Sequence, residues 1–131
     1  MISEWSARIA IGGALVVISV SSGAHHGAAG LFDETRTVEL KGVVKEWTFV
    51  NPHPVLILEI AEANGAAADW DIYFGPQAVA ALRRRGFSAA TFAMGETVSV
   101  KGHPATAVGV RGIDVWGAGT SVLRADGSAA P

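Results

Sequence analysis

Residues 35–51 read TRTVELKGVVKEWTFVN, and this stretch decides the fold. Val38, Leu40 and Gly42 alternate with Glu39 and Lys41, the two-residue period of a half-buried strand. After Gly42 the phase shifts, and Val43, Trp47 and Phe49 take over the odd positions. A phase change at a glycine predicts a bend or bulge inside one long strand. Asn51-Pro52-His53-Pro54 then reads as a turn, because proline has no N–H for a ladder and asparagine favours turns.

The following segments repeat the strand pattern. Val55–Ile60 places Leu56, Leu58 and Ile60 on one face, and Asn64-Gly65 predicts a hairpin connection. Trp70, Ile72 and Phe74 share one face of a third strand, with Asp69, Asp71 and Tyr73 on the other. The period then changes. Gly75-Pro76 is expected to open a short helix with an apolar stripe of Val79, Leu82 and alanines, ending at Arg83-Arg84-Arg85 with Gly86 at the C′ position. Thr97–Lys101 and Gly112–Trp116 predict a fourth and a fifth strand, which Ser121–Leu123 would extend. Bent strand, two strands, helix and two strands is the order of an OB-like five-stranded Greek-key barrel, mainly β, with its one short helix between strands three and four. Another small β-barrel or sandwich of five to seven strands is the alternative. The barrel is expected over residues 35–124, with residues 25–34 as an N-terminal tail anchored at Leu31-Phe32 and 125–131 as a disordered C-terminal tail.

The segment before this domain reads as a cleaved secretory signal. Met1–Arg8 is weakly positive, Ile9–Val20 is an apolar run, and Ser22 and Ala24 occupy the −3 and −1 positions of a small-residue cleavage site. The run is too short for a spanning helix, which needs roughly 20 apolar residues. The expected domain division is therefore a signal peptide at 1–24, followed by a periplasmic or secreted protein with no stable membrane insertion. The chain has no cysteine, so disulfides, thiolate metal sites and thiol nucleophiles are absent. A net charge of −2 leaves no electrostatic footprint for nucleic acid.

All four histidines hold special positions. Cleavage after Ala24 would make His25 the first residue, and its free α-amine and imidazole form a chelate for Cu(II). Cleavage one residue earlier yields Ala24-His25-His26, whose third-place histidine also binds Cu(II) or Ni(II) through amine, amides and imidazole. His53 and His103 each precede a proline, which holds the histidine backbone extended. They are placed in the loops flanking the usual binding face of an OB barrel, so the two could be neighbours in space. A ten-residue tail spans about 30 Å when extended, so reach does not limit a shared site. The predicted metal ligands are accordingly His25, His26, His53 and His103, with copper as the metal if one is bound. Asp33 or Glu34 could add an oxygen ligand or orient an imidazole. Against this stands the plain reading: two histidines at a terminus, one capping a turn at His53, and a surface residue at His103.

Other groupings have structural explanations. Asp69 and Asp71 read as exposed acids on a half-solvated strand, and Arg83–Arg85 as cations that complement a helix C-terminus. Trp47, Trp70, Trp116 and Tyr73 could form a stacking platform, but core packing accounts for the inward tryptophans. Gly109-Val110-Arg111-Gly112 lacks the flanking strand and helix of a phosphate loop, and no Gly-x-Ser-x-Gly occurs.

The His25-His26 start, Phe32-Asp33, Val38-x-Leu40-x-Gly42-x-Val44, Trp47–His53, Leu82–Phe87 and Gly95–Ala105 form a set of motifs along the chain. Together these stretches resemble a family of small secreted bacterial proteins known as a domain of unknown function. The resemblance implies export and an OB-like barrel, and implies no activity. The Gly/Ala-rich stretch after His26 and the Gly-rich Trp116–Gly119 depart from the usual pattern. The reading is thus a small exported protein that binds rather than catalyses, its partner a metal ion or small molecule, or an envelope protein. The leading function is copper binding. The alternative is a metal-free envelope module using Pro52–Val55 and His103–Gly112, and a copper-dependent oxidase or oxygenase ranks third.

Overall fold

The computed structural model describes residues 30–131 of the chain. Its strands are β1 (Val38–Thr48), β2 (Val55–Ala61), β3 (Ala67–Tyr73), β4 (Thr97–Pro104), β5 (Gly112–Asp114) and β6 (Ser121–Arg124), and its one helix is α1 (Val79–Arg84). Antiparallel pairs join β1 to β2, β2 to β3, β5 to β4 and β4 to β1, and β3 pairs β5 in parallel. The order β1-β2-β3-β5-β4-β1 closes on itself, so the expected mainly-β, OB-like barrel of five strands is what forms. Closure is possible because β1 serves two partners, β4 through Val38–Val43 and β2 through Val43–Thr48.

The inward alternation encloses one core. Leu56, Leu58 and Ile60 from β2, Ile72 and Phe74 from β3 and its exit, and Val98 and Val100 from β4 are buried, with Leu82 of α1 and Phe87 and Phe92 beyond it packed against them. Trp47 joins this cluster, its ring 5.0 Å from Phe92 and its Nε1 donating to the Ser88 carbonyl at 2.9 Å.

The bend in β1 is not where the sequence placed it. Val44 faces Leu58 and Glu46 faces Ile57, so the bulge falls at Lys45. Val43 is 41% exposed and Val44 2%, the reverse of the expected phase. Gly42 answers a different need: a Cβ there would stand 2.7 Å from Ile60 Cγ1 and 2.8 Å from the Glu59 carbonyl. The glycine permits the close crossing over β2, and the unpaired residue falls on a lysine whose side chain reaches solvent and pairs with Asp69 at 2.7 Å.

The helix also begins later than Gly75-Pro76. Gly75 has φ +61°, a left-handed conformation that cannot start a right-handed helix, and Ala78 is the extended N-cap. At the other end Gly86, with φ +99°, donates to the Arg83 carbonyl and Phe87 to Leu82, the paired bonds of a Schellman cap at the expected glycine.

β5 stops at Asp114, short of Trp116. β6 does continue its line: His103 pairs Asp114 and Lys101 pairs Ser121, so both strands follow the same edge of β4. Between them Val115–Thr120 face only Gly102 and leave the barrel wall. Residues 125–131 fold back rather than fray. Asp126 Oδ1 accepts from Ser128 N, Gly127 takes φ +83°, and Ala130 N donates to the Val122 carbonyl. The Asp-Gly pair is a hairpin signal that carries this return. Among the described residues no helix is long and apolar enough to cross a membrane.

Candidate functional site

The register across β3, β5 and β4 sets Tyr73 opposite Asp114 and Asp114 opposite His103, one row over three strands. Ile72 and Ile113, their neighbours in sequence, are buried in the core, so alternation puts this row on the outer face of the barrel. Outer-face residues are ordinarily wet, yet His103 is 8% exposed and Asp114 9%.

The N-terminal segment provides the cover. Asp33 N donates to the Pro104 carbonyl at 2.9 Å, Phe32 pairs with Ala105, and Thr106 N donates to the Leu31 carbonyl at 2.9 Å. Phe32 is the buried anchor, its ring 5.1 Å from Tyr73, whereas Leu31 is exposed. Of the pair expected to pin this segment, only the phenylalanine reaches the barrel.

His103 therefore lies inside β4, not in the connection after it, and it is not a surface residue. Its Nδ1 is 2.9 Å from the Arg36 carbonyl. A carbonyl only accepts, so this bond assigns the hydrogen to Nδ1 and leaves Nε2 with its lone pair in the neutral ring.

Asp114 is the participant that the sequence reading missed. Its Oδ1 accepts from Gly75 N at 2.9 Å and Trp116 N at 3.2 Å. Burial pushes the carboxyl above its ordinary value, the two N–H donors and the His103 charge oppose that rise, and Glu34 adds to it. The available signal was the alternation Gly112-Ile113-Asp114, which turns Asp114 outward, but only the β4–β5 register sets it against His103. Burial, and then the Asp71 charge, raise the Tyr73 hydroxyl at the end of the row.

His53 is exposed in the β1–β2 connection, with Nδ1 3.3 Å from the Gln77 carbonyl. The two histidines thus rest on different backbone carbonyls, His53 on that of Gln77 and His103 on that of Arg36. His25 and His26 lie outside the described residues. Of the two acids beside them in sequence, Asp33 is occupied: Oδ1 accepts from Thr35 and Oδ2 from Arg36 Nε. Glu34 is exposed and near enough to Asp114 for its charge to be felt. Among the described residues, no three His, Asp or Glu side chains gather into a group able to hold a metal ion.

The remaining constellations have local partners. Lys45 holds Asp69, which accounts for one of the two strand acids, and Arg111 holds Glu62 at 2.7 Å. The Trp70 Nε1 is buried without a partner among the described residues.

A family model described as "Family of unknown function (DUF6152)" matches residues 14–114. Comparison with curated proteins and with solved structures gives no match.

Proposed function

We propose that this chain, which belongs to that family of unknown function, is a small exported protein that binds copper through His25, His26 and His103, with His53 as a further ligand. The observation that carries this reading is the His103 ring, seated beneath the N-terminal segment with Nδ1 on the Arg36 carbonyl. A metal-bound imidazole ordinarily gives its second ring N–H to a carbonyl or carboxylate, which fixes the tautomer and raises the basicity of the ligating nitrogen. His103 has that second-nitrogen partner in the Arg36 carbonyl.

The path of the chain supplies the rest. Thr106 Oγ1 donates to the Gly30 carbonyl at 2.8 Å, so the described segment begins beside the exit of β4. Gly30 lies four positions after His26, a reach of about 13 Å when extended. With export and cleavage after Ala24, the α-amine and the His25 imidazole would make a nitrogen chelate, and His103 Nε2 a third ligand. Nitrogen donors in planar geometry favour Cu(II). Since the described residues form no three-ligand group by themselves, such a centre draws on the two N-terminal histidines. The site holds a metal rather than turning over a substrate.

A second reading, a metal-free module that docks an envelope protein, rests on the β4–β5 connection. Val108 is fully exposed and Val110 half-exposed there, beside exposed Leu31.

Native mass spectrometry of the exported protein with one equivalent of Cu(II) tests the first reading. The expected result is a chain beginning at His25 that retains one copper against a weak chelator, with affinity falling at least about tenfold in His103→Gln. A chain that keeps residues before Ala24, or copper retention unchanged in His103→Gln, overturns it.

A further inference from the structure

A cavity of about 490 Å³, with no histidine in its lining, opens between the end of α1, the Val115–Thr120 excursion and the folded-back C-terminal residues. It exists because six residues face the single Gly102 on β4, so the chain must leave the barrel wall there. Trp116 is carried out over Gly75, where a Cβ would stand 2.6 Å from the indole Cγ, and the glycine leaves room for the ring.

The floor is apolar and buried: Phe74, Phe87 and Val122. Trp116 and Thr120 form a wall, and Arg85 stands at the mouth. The Arg85 guanidinium is 5.1 Å from the centre of the Trp116 ring and 5.8 Å from that of Phe87. Arg36, Lys45, Arg111 and Arg124 each have a carboxylate partner within 4.0 Å, and Arg85 has none among the described residues. Rings hold this cation in place.

A guanidinium resting on rings keeps its in-plane N–H donors available, and their fork matches the two oxygens of a carboxylate. The carbonyls of the nearby helix end would repel an anion, but Gly86 and Phe87 N–H groups cover those of Arg83 and Leu82. The volume lies within the range of small-molecule sites, roughly 300–1,000 Å³, and an apolar lining with one placed charge is their usual composition.

We infer that this cavity binds a small planar organic anion, an aromatic carboxylate, its ring against Trp116 and the phenylalanine floor and its carboxylate on Arg85. The site is separate from the copper centre and stands or falls without it.

The test uses the full exported chain in the presence of a chelator, so that copper plays no part. 2-Naphthoate is titrated against the Trp116 indole N–H resonance, assigned by its loss in Trp116→Phe, and naphthalen-2-ylmethanol serves as the uncharged counterpart. The expected result is a saturable shift of that resonance, with the carboxylate bound at least about tenfold more tightly than the alcohol. Arg85→Gln is expected to abolish the preference and Arg85→Lys to keep part of it, since lysine retains the charge but not the fork. Arg85 is exposed, so both variants are expected to keep the remaining spectrum unchanged. No shift at Trp116, equal binding of acid and alcohol, or an undiminished preference in Arg85→Gln overturns the assignment.

Discussion

Asp114 shows how one residue can be held in place and still weaken the fold. Its carboxylate accepts two backbone N–H bonds, yet burial raises its pKa above the unfolded value. A raised pKa means that the native state favours the protonated form. The stability from this group is fully present below the unfolded pKa and is lost as pH rises through the folded one. Asp114→Asn keeps an oxygen for Gly75 and Trp116 and removes the charge. We expect the variant to gain on the wild type as pH rises from about 3 to about 7, read by urea denaturation across that range; a constant difference would refute the assigned cause. Glu96 has the opposite sign. The Ala93 N–H, and then Arg124, hold its carboxyl below the ordinary value. Its contribution is present above the unfolded pKa and is lost as pH falls through the folded one, so Glu96→Gln should cost about 1 kcal/mol at neutral pH and little in acid.

At the scale of elements, the glycines that matter are those where two backbones meet. A Cβ on Gly102 would run into the Asp114 carbonyl and stand 2.6 Å from Ile113 Cγ2. Neither can move without parting β4 from β5, one of the pairs that make up the barrel wall. Gly102→Ala should cost about 2–4 kcal/mol. Gly86→Ala meets only Pro131, at 3.4 Å, and its penalty is that of a left-handed helix cap, about 1 kcal/mol. Chemical denaturation of the two variants checks the order, and the reverse ranking would show that β4 and β5 can separate cheaply. The short β5 is explained on the same terms. A regular ladder would continue from Asp114 along β4, but the chain leaves the edge at Val115 and returns at Ser121, and that departure creates the Arg85 cavity.

At the scale of the molecule, the barrel brings β4 under the segment that leads back to the N-terminal histidines. A metal bridging His103 and His25 binds the native state far better than the unfolded one, and at a free concentration of 100 times Kd it should add about 2.7 kcal/mol. Copper should therefore raise the melting temperature of the chain beginning at His25 and leave that of His103→Gln nearly unchanged. A terminus that chelates copper without β4 would raise neither. Calorimetry with and without Cu(II) separates the two, a distinction that stoichiometry alone does not make.

The alternation of Leu56, Leu58 and Ile60, of Ile72 and Phe74, and of Val98 and Val100 was legible in the chain by itself, because the strand period is local and each side chain is turned in or out by its neighbours. So were the Gly86 cap and the Asn64-Gly65 turn, which depend on a few adjacent residues. Strand order and the single helix were enough to name the barrel. Its closure decided the rest. The bulge lies at Lys45 rather than Gly42, and the glycine instead serves the close crossing of β1 over β2, a contact with residues sixteen to eighteen positions away in sequence. His103 changed from a loop ligand to a buried ring because a segment about seventy residues earlier lies over β4. Asp114 became its neighbour, and Arg85 met Trp116, only through the path of β5 and β6 along one edge. Local patterning specifies which face a residue takes, whereas the partner it meets there depends on register between distant segments, and tertiary structure alone determines that.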